Sequence, residues 1–183
     1  MTWADIVFNA SLFGFFDRLF TRHQRPVWNL APLVDAPGAV APLWLVASMI
    51  VAGVSMWVVH PRAHDVSAEA DVDRFFAVIL SAALLIAPLG WLYYTFFLVG
   101  PFAALWADEQ RGMTAGWRRF LYAMVALCLV IPPGIVARHQ PSGWATLSIG
   151  SAYFWGTLGL WLCAVRPTPK PALLSGLLRL RRF

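Results

Sequence analysis

Phe75 to Ala107 is 33 residues without a single charge, centred on Ala87-Pro88-Leu89-Gly90-Trp91-Leu92-Tyr93-Tyr94. As one helix this run would be roughly 50 Å long, against a bilayer hydrocarbon core of about 30 Å. Pro88 removes a backbone donor and Gly90 removes the steric bar to a turn. The run therefore divides into two short apolar segments, 71–87 and 91–107, joined by a turn almost without linker. The first reaches spanning length only by including Asp71, Asp73 and Arg74, which must then sit at an interface.

Three further apolar runs flank this pair. Ala41 to Val59 holds 19 residues without a charge, with Trp44 and Trp57 near its ends, where an aromatic belt would put them. Phe120 to Ala137 holds 18, with Pro132-Pro133 late in the run. Trp144 to Val165 holds 22. The whole chain is 60% apolar and 13% charged, where soluble domains average about 45–50% and about 25%. That composition excludes an ordinary soluble domain and a disordered one. The expected fold is all-α: a polytopic membrane helix bundle of five transmembrane helices (41–59, 71–87, 91–107, 120–137 and 144–165). An N-terminal interfacial helix precedes it and a basic amphipathic C-terminal tail follows.

The chain carries 14 Arg and Lys against nine acids, and the basic residues lie between the apolar runs. They read as topology signals and headgroup contacts, not as a nucleic-acid surface. With five spans, ten of them fall on one side and four on the other. The positive-inside rule then places the C-terminus in the cytoplasm and the N-terminus outside. A four-span count moves the N-terminus inside, so the orientation of the first forty residues depends on the break at Pro88. Arg in preference to Lys, with abundant Ala, suggests a GC-rich bacterial gene and hence a bacterial plasma membrane.

Residues 1–40 are not a span. Their apolar residues are interrupted by Asp5, Asn9, Asp17 and Arg18, which reads as a helix with one apolar side at the interface or against other helices. Asp5 in place of a positive start argues against a signal peptide. Three prolines and a glycine between Arg25 and Gly38 read as an ordered loop. Pro167 to Pro171 reads as a stiff spacer, and Ala172 to Phe183, leucines with Arg179, Arg181 and Arg182, as a helix on an anionic leaflet.

Few constellations carry chemistry. His60 and His64 have helical metal-ligand spacing, but Pro61 interrupts them and no third ligand is near, so no metal is expected. No cofactor motif appears either. The acids Asp65, Glu69, Asp71 and Asp73 read as a solvated loop balancing Arg62 and Arg74, and Cys128 and Cys163 as membrane filler. Asn9-Ala-Ser11 matches a glycosylation pattern that occurs by chance. In Asn9 to Phe20, a helix places Ser11, Gly14 and Arg18 on one face. An amide, a hydroxyl and a guanidinium there suit an anionic headgroup or sugar hydroxyls, while Arg18 pairing with a nearby acid, or snorkelling, is the plainer reading. Trp91, Tyr93 and Tyr94 at the break suit either a sugar platform or an interfacial aromatic belt.

Together the two motifs resemble the glycosyltransferase family 87 membrane proteins. Asn9-x-Ser-Leu-x-Gly followed by Arg18-Leu-Phe is similar to that family's Asn-Gln-Ser-Leu segment. Pro88-Leu-Gly-Trp-Leu-Tyr-Tyr, 76 residues after Leu12, is similar to its Ser-Pro-x-x-Trp-x-His/Tyr motif. Pro-Leu-Val-Asp35-Ala-Pro before a span also fits. Ala87 stands where the motif has serine, and Tyr94 lies beside the position where many members have histidine, so no histidine role carries over. The resemblance, over about residues 5–110, implies the C-terminal portion of a GT-C enzyme that uses a polyprenyl-phosphate mannose donor at an extracytoplasmic site. It implies Arg18 on phosphate, Asn9 and Ser11 on sugar or phosphate oxygens, and Trp91, Tyr93 and Tyr94 on the sugar or acceptor wall. The family's catalytic base has no match here, so no catalytic residue is assigned, and no transferase activity is expected of this chain alone. The expected partners are membrane lipids, the polyprenyl-phosphate donor, and a missing N-terminal half or another membrane protein. The rival reading is a non-catalytic membrane protein that packs against another membrane enzyme. A small transporter is disfavoured, because it wants an ionisable residue within a span.

Overall fold

The computed structural model describes residues 9–24, 29–60, 69–111, 116–132, 135 and 144–166. The expectations for His64, Asp65 and the basic tail fall outside these residues. The described residues are mostly helical, with two-residue strands β1 (His23–Gln24) and β2 (Asn29–Leu30) that pair antiparallel. The helices are α1 (Leu12–Phe20), α2 (Val40–Val59), α3 (Glu69–Ile86), α4 (Leu92–Thr95), α5 (Val99–Arg111), α6 (Gly116–Val130), α7 (Trp144–Leu147) and α8 (Ala152–Val165). Short 3₁₀ turns join α4 to α5 and precede α8. Two helical stretches, Pro37–Val59 and Trp144–Val165, are long and apolar enough to cross a membrane, while Tyr93–Ala107 and Arg119–Val130 are shorter apolar helices.

A few side-chain anchors fix the direction of each segment. The Trp44 indole near the start of α2 donates to the Ile86 carbonyl at the end of α3, 3.0 Å away, so α2 and α3 are antiparallel. Arg74 near the start of α3 donates to the carbonyls of Ala164 and Val165 at the end of α8, at 2.7 and 2.9 Å. The Tyr153 hydroxyl at the start of α8 donates to the Ile131 carbonyl just after α6. Trp106 of α5 meets Tyr122 of α6 edge to face, with ring centroids 5.7 Å apart. The five long segments thus alternate in direction. Residues 9–18, 86–94 and 146–153 gather at one end, and 60, 69–74 and 164–166 at the other.

Helix α8 is the axis of the bundle. Leu160, Cys163 and Ala164 share a core with Val78 and Leu84 of α3, Leu98, Leu105 of α5, and Tyr122 and Val125 of α6. Gly156 and Gly159 let α6 approach closely: a Cβ at Gly156 would lie 2.8 Å from Leu129, and one at Gly159 2.7 Å from Val125. Small residues at a helix crossing let the two backbones come this close. A second core joins Leu12, Phe15 and Leu19 of α1 to Val51, Ala82, Leu85, Phe154 and Trp161.

Helix α1 does not lie along the outside of the bundle. Leu12, Gly14, Phe15, Asp17, Arg18 and Leu19 are all buried, and Phe15 stacks on Phe154 with ring centroids 4.1 Å apart. The orphan carbonyls at its C-terminus take N–H groups from the following loop: Leu33 and Val34 donate to Leu19, and Ala36 to Phe20.

Arg74 also anchors the end of α8. It is buried, and its cation meets the negative end of α8. Replacing it with methionine removes two charge-assisted bonds, and the expected cost is about 2 kcal/mol of stability in micelles. Trp44→Phe keeps the edge-to-face contact with Phe13 (centroids 5.7 Å apart) and strips the donor from Ile86. Its expected cost is smaller, about 1 kcal/mol.

Candidate functional site

The site is a polar knot at the end of the bundle where α3 breaks. Pro88 has no N–H to give the carbonyl one turn back, so the helix stops and its last turn needs other partners. Gly90 and Trp91 then run extended beside the strand-like residues Asn9 and Ala10. Asn9 and Trp91 form an antiparallel bridge, and the Ala10 N–H donates to the Gly90 carbonyl at 2.7 Å.

The Asn9 side chain closes the turn from both sides. Its Nδ2 donates to the Pro88 carbonyl at 3.0 Å, and its Oδ1 accepts from the Gly90 N–H at 2.9 Å and the Ser11 N–H at 3.0 Å. Ser11 caps α1 by accepting from the Gly14 N–H at 3.1 Å, and its hydroxyl donates to the Pro88 carbonyl at 3.2 Å. Asparagine suits this place because its amide offers acceptor and donor in one plane, matching the N–H and C=O of an unpaired turn.

Arg18 lies on the same face of α1, one helical turn beyond Gly14, and is fully buried. Its Nη1 donates to the Asn9 carbonyl at 2.9 Å, and its Nη2 reaches the Ser151 hydroxyl at 3.3 Å. Ser151 Oγ in turn donates to the Thr146 carbonyl at 2.7 Å. Burial pushes the Arg18 guanidinium down to about 10, with the neighbouring Asp17 carboxylate pulling the other way. Arg18 therefore remains a cation at neutral pH.

The structure thus brings Asn9, Ser11, Arg18 and Trp91 together and leaves the two tyrosines outside. Tyr93 is 72% exposed and Tyr94 42%, with Tyr94 stacked on Phe97. Both phenols stand on the outer surface of α4 beside the exposed Phe96. Ser151 and Thr146 were not singled out from the sequence. The only local sign of them is the interruption Ser148-Ile-Gly-Ser151 inside an apolar run.

A cavity of about 380 Å³ lies beyond the knot, between the α4–α5 segment, α6 and α8. Phe96, Leu98, Phe102, Leu129 and Val130 form its walls, with Thr95 and Tyr153 as polar points, and no knot residue lines it. Among the described residues no three His, Cys, Asp or Glu side chains gather as metal ligands would.

Chemically, the knot's hydrogen bonds link Asn9, Ser11 and Arg18 to the protein's own backbone and to Ser151. It is a device for satisfying two helix interruptions, built around one buried cation. No family model, curated protein or solved structure matches this chain.

Proposed function

We propose that this chain is the C-terminal portion of an integral-membrane glycosyltransferase. In that reading the whole enzyme moves a sugar, mannose, from a polyprenyl-phosphate donor to an extracytoplasmic lipid or glycan, and this portion is inactive alone. One observation supports the reading most. The two segments that carry the family resemblance, 79 to 81 residues apart at their hydrogen-bonded atoms, close on each other as one unit.

The membrane part of the proposal rests on surface chemistry. Met49, Ile50, Met56 and Trp57 of α2, Phe76 and Ile79 of α3, and Leu127 and Val130 of α6 all point outward. Apolar surface on this scale does not face water in a soluble monomer. The five alternating segments then cross the bilayer. Exposed Arg119 and Arg166 lie at the end assigned to the cytoplasm, while Arg18 at the opposite end is buried in the knot.

Two measurements test this. With both native cysteines changed to alanine, Leu89→Cys in intact cells reacts with an impermeant maleimide, and Arg166→Cys reacts only after permeabilisation. The opposite pattern overturns the orientation. In membranes, a photoreactive polyprenyl-phosphate probe labels the chain saturably, without turnover of polyprenyl-phosphate mannose. Turnover by the 183-residue chain overturns the inactivity.

A second reading is a non-catalytic membrane protein that packs against another membrane enzyme. It is favoured by the engagement of Asn9, Ser11 and Arg18 with protein groups and by the outward position of Tyr93 and Tyr94. Absence of saturable labelling selects it.

A further inference from the structure

We propose that Arg18 couples the two helix interruptions, so that the turn at Pro88–Trp91 and the turn at Ser148–Ser151 open together and not one at a time. The two turns belong to different helix pairs, one joining α3 to α4 and the other joining α7 to α8. They lie at the same end of the bundle. Between them runs an unbroken chain of hydrogen bonds. Thr146 O accepts from Ser151 Oγ, Ser151 Oγ accepts from Arg18 Nη2, Arg18 Nη1 donates to Asn9 O, and the Asn9 amide holds Pro88 and Gly90.

The charge makes this chain more than a row of contacts. Buried backbone N–H groups such as those of Ser11, Gly90 and Ser151 persist only where protein groups satisfy them. Here one guanidinium serves both turns at once. Releasing Ser151 removes one acceptor from a fully buried cation, which loosens the guanidinium and with it the hold on Asn9. Neutral hydrogen bonds would let each turn fluctuate alone.

The rival carrier is α1 itself acting as a rigid wedge, since Phe15 stacks on Phe154 just beyond Ser151. Amide hydrogen exchange on the full chain in micelles separates the two, because it reports local opening residue by residue. The Ser151 N–H bonds to the Ser148 carbonyl and the Ala10 N–H to the Gly90 carbonyl, giving one reporter for each turn. Under the proposal, Ser151→Ala speeds exchange at Ala10 and Gly90, and Ser11→Ala speeds exchange at Ser151, each by roughly fivefold to tenfold. Both distant effects vanish in an Arg18→Met background, while the local ones remain. If that variant does not fold, Arg18→Gln replaces it, because its neutral amide removes the cation on which the coupling rests. Effects that stay local in the unmodified background overturn the proposal. So do distant effects that persist without Arg18, which assign the coupling to the wedge. Equal acceleration at Leu160 to Ala164 also overturns it, because it marks general loosening.

Discussion

Asn9→Ala lowers the stability of the folded protein by roughly 3–5 kcal/mol, measured by denaturant or thermal unfolding in micelles. The size follows from what is left behind. Alanine removes the acceptor for two N–H groups, those of Ser11 and Gly90, and the stronger of the two side-chain donors to Pro88 O. Both N–H groups sit among buried residues, and an unpaired buried backbone donor costs about 1–3 kcal/mol. Ser11 can still donate to Pro88, so the carbonyl adds little. Asn9→Asp sharpens the test. It keeps the acceptor for both N–H groups but turns the donor facing Pro88 O into a second oxygen, so it recovers only part of the loss. Should Asn9→Ala cost under about 1 kcal/mol, water reaches the Ser11 and Gly90 N–H groups and replaces the amide.

How far this arrangement was legible in the sequence depends on what kind of partner each residue has. The break at Pro88 was legible, because a proline and a glycine within an otherwise uncharged run act locally. The helical segments likewise follow the apolar runs: α2 covers 40–59 where 41–59 was expected, and α3 covers 69–86 where 71–87 was expected. The run from Trp144 to Val165 is one helical stretch with the expected bounds, and a 3₁₀ turn at Ile149–Ser151 divides it into α7 and α8. That turn is where Arg18 attaches, and nothing local to it announces the attachment.

The partners of the polar residues were not legible for a general reason. Asn9 bonds to Pro88 O and Gly90 N, Arg18 to Asn9 O, Arg74 to Ala164 O and Val165 O, and Trp44 to Ile86 O. All of these partners are backbone atoms, which every residue type supplies, so no side-chain pattern marks them. The neighbouring acids suggest a carboxylate partner for Arg74 and the resemblance a phosphate or sugar partner for Arg18, and neither pattern points to these backbone carbonyls. In the fold, helix termini and a broken turn compete for the same donors. Away from water such termini must be satisfied by something, and the nearest long polar side chain serves.

Gly14→Ala is the second large effect, and helix propensity alone gives it the opposite sign. An alanine inside α1 should stabilise the helix by about 1 kcal/mol over glycine. The site forbids it. The added Cβ would lie 2.5 Å from Asn9 Cγ, 2.6 Å from its Nδ2 and 2.8 Å from its Cβ. The Asn9 amide cannot swing aside without giving up Pro88, Gly90 and Ser11. Nor can α1 shift outward, because Phe15 and Leu19 are buried in the second core. Overpacking of this kind costs about 1–3 kcal/mol, and expulsion of the amide adds the loss argued for Asn9→Ala. The expected net destabilisation is about 3–5 kcal/mol. Because both substitutions act through the same amide, the pair Asn9→Ala with Gly14→Ala falls well short of the sum of the singles. Additive effects would mean that Gly14 and Asn9 do not share this contact. A Gly14→Ala protein more stable than the parent would mean that propensity governs α1 and that its polar face is not locked against the break.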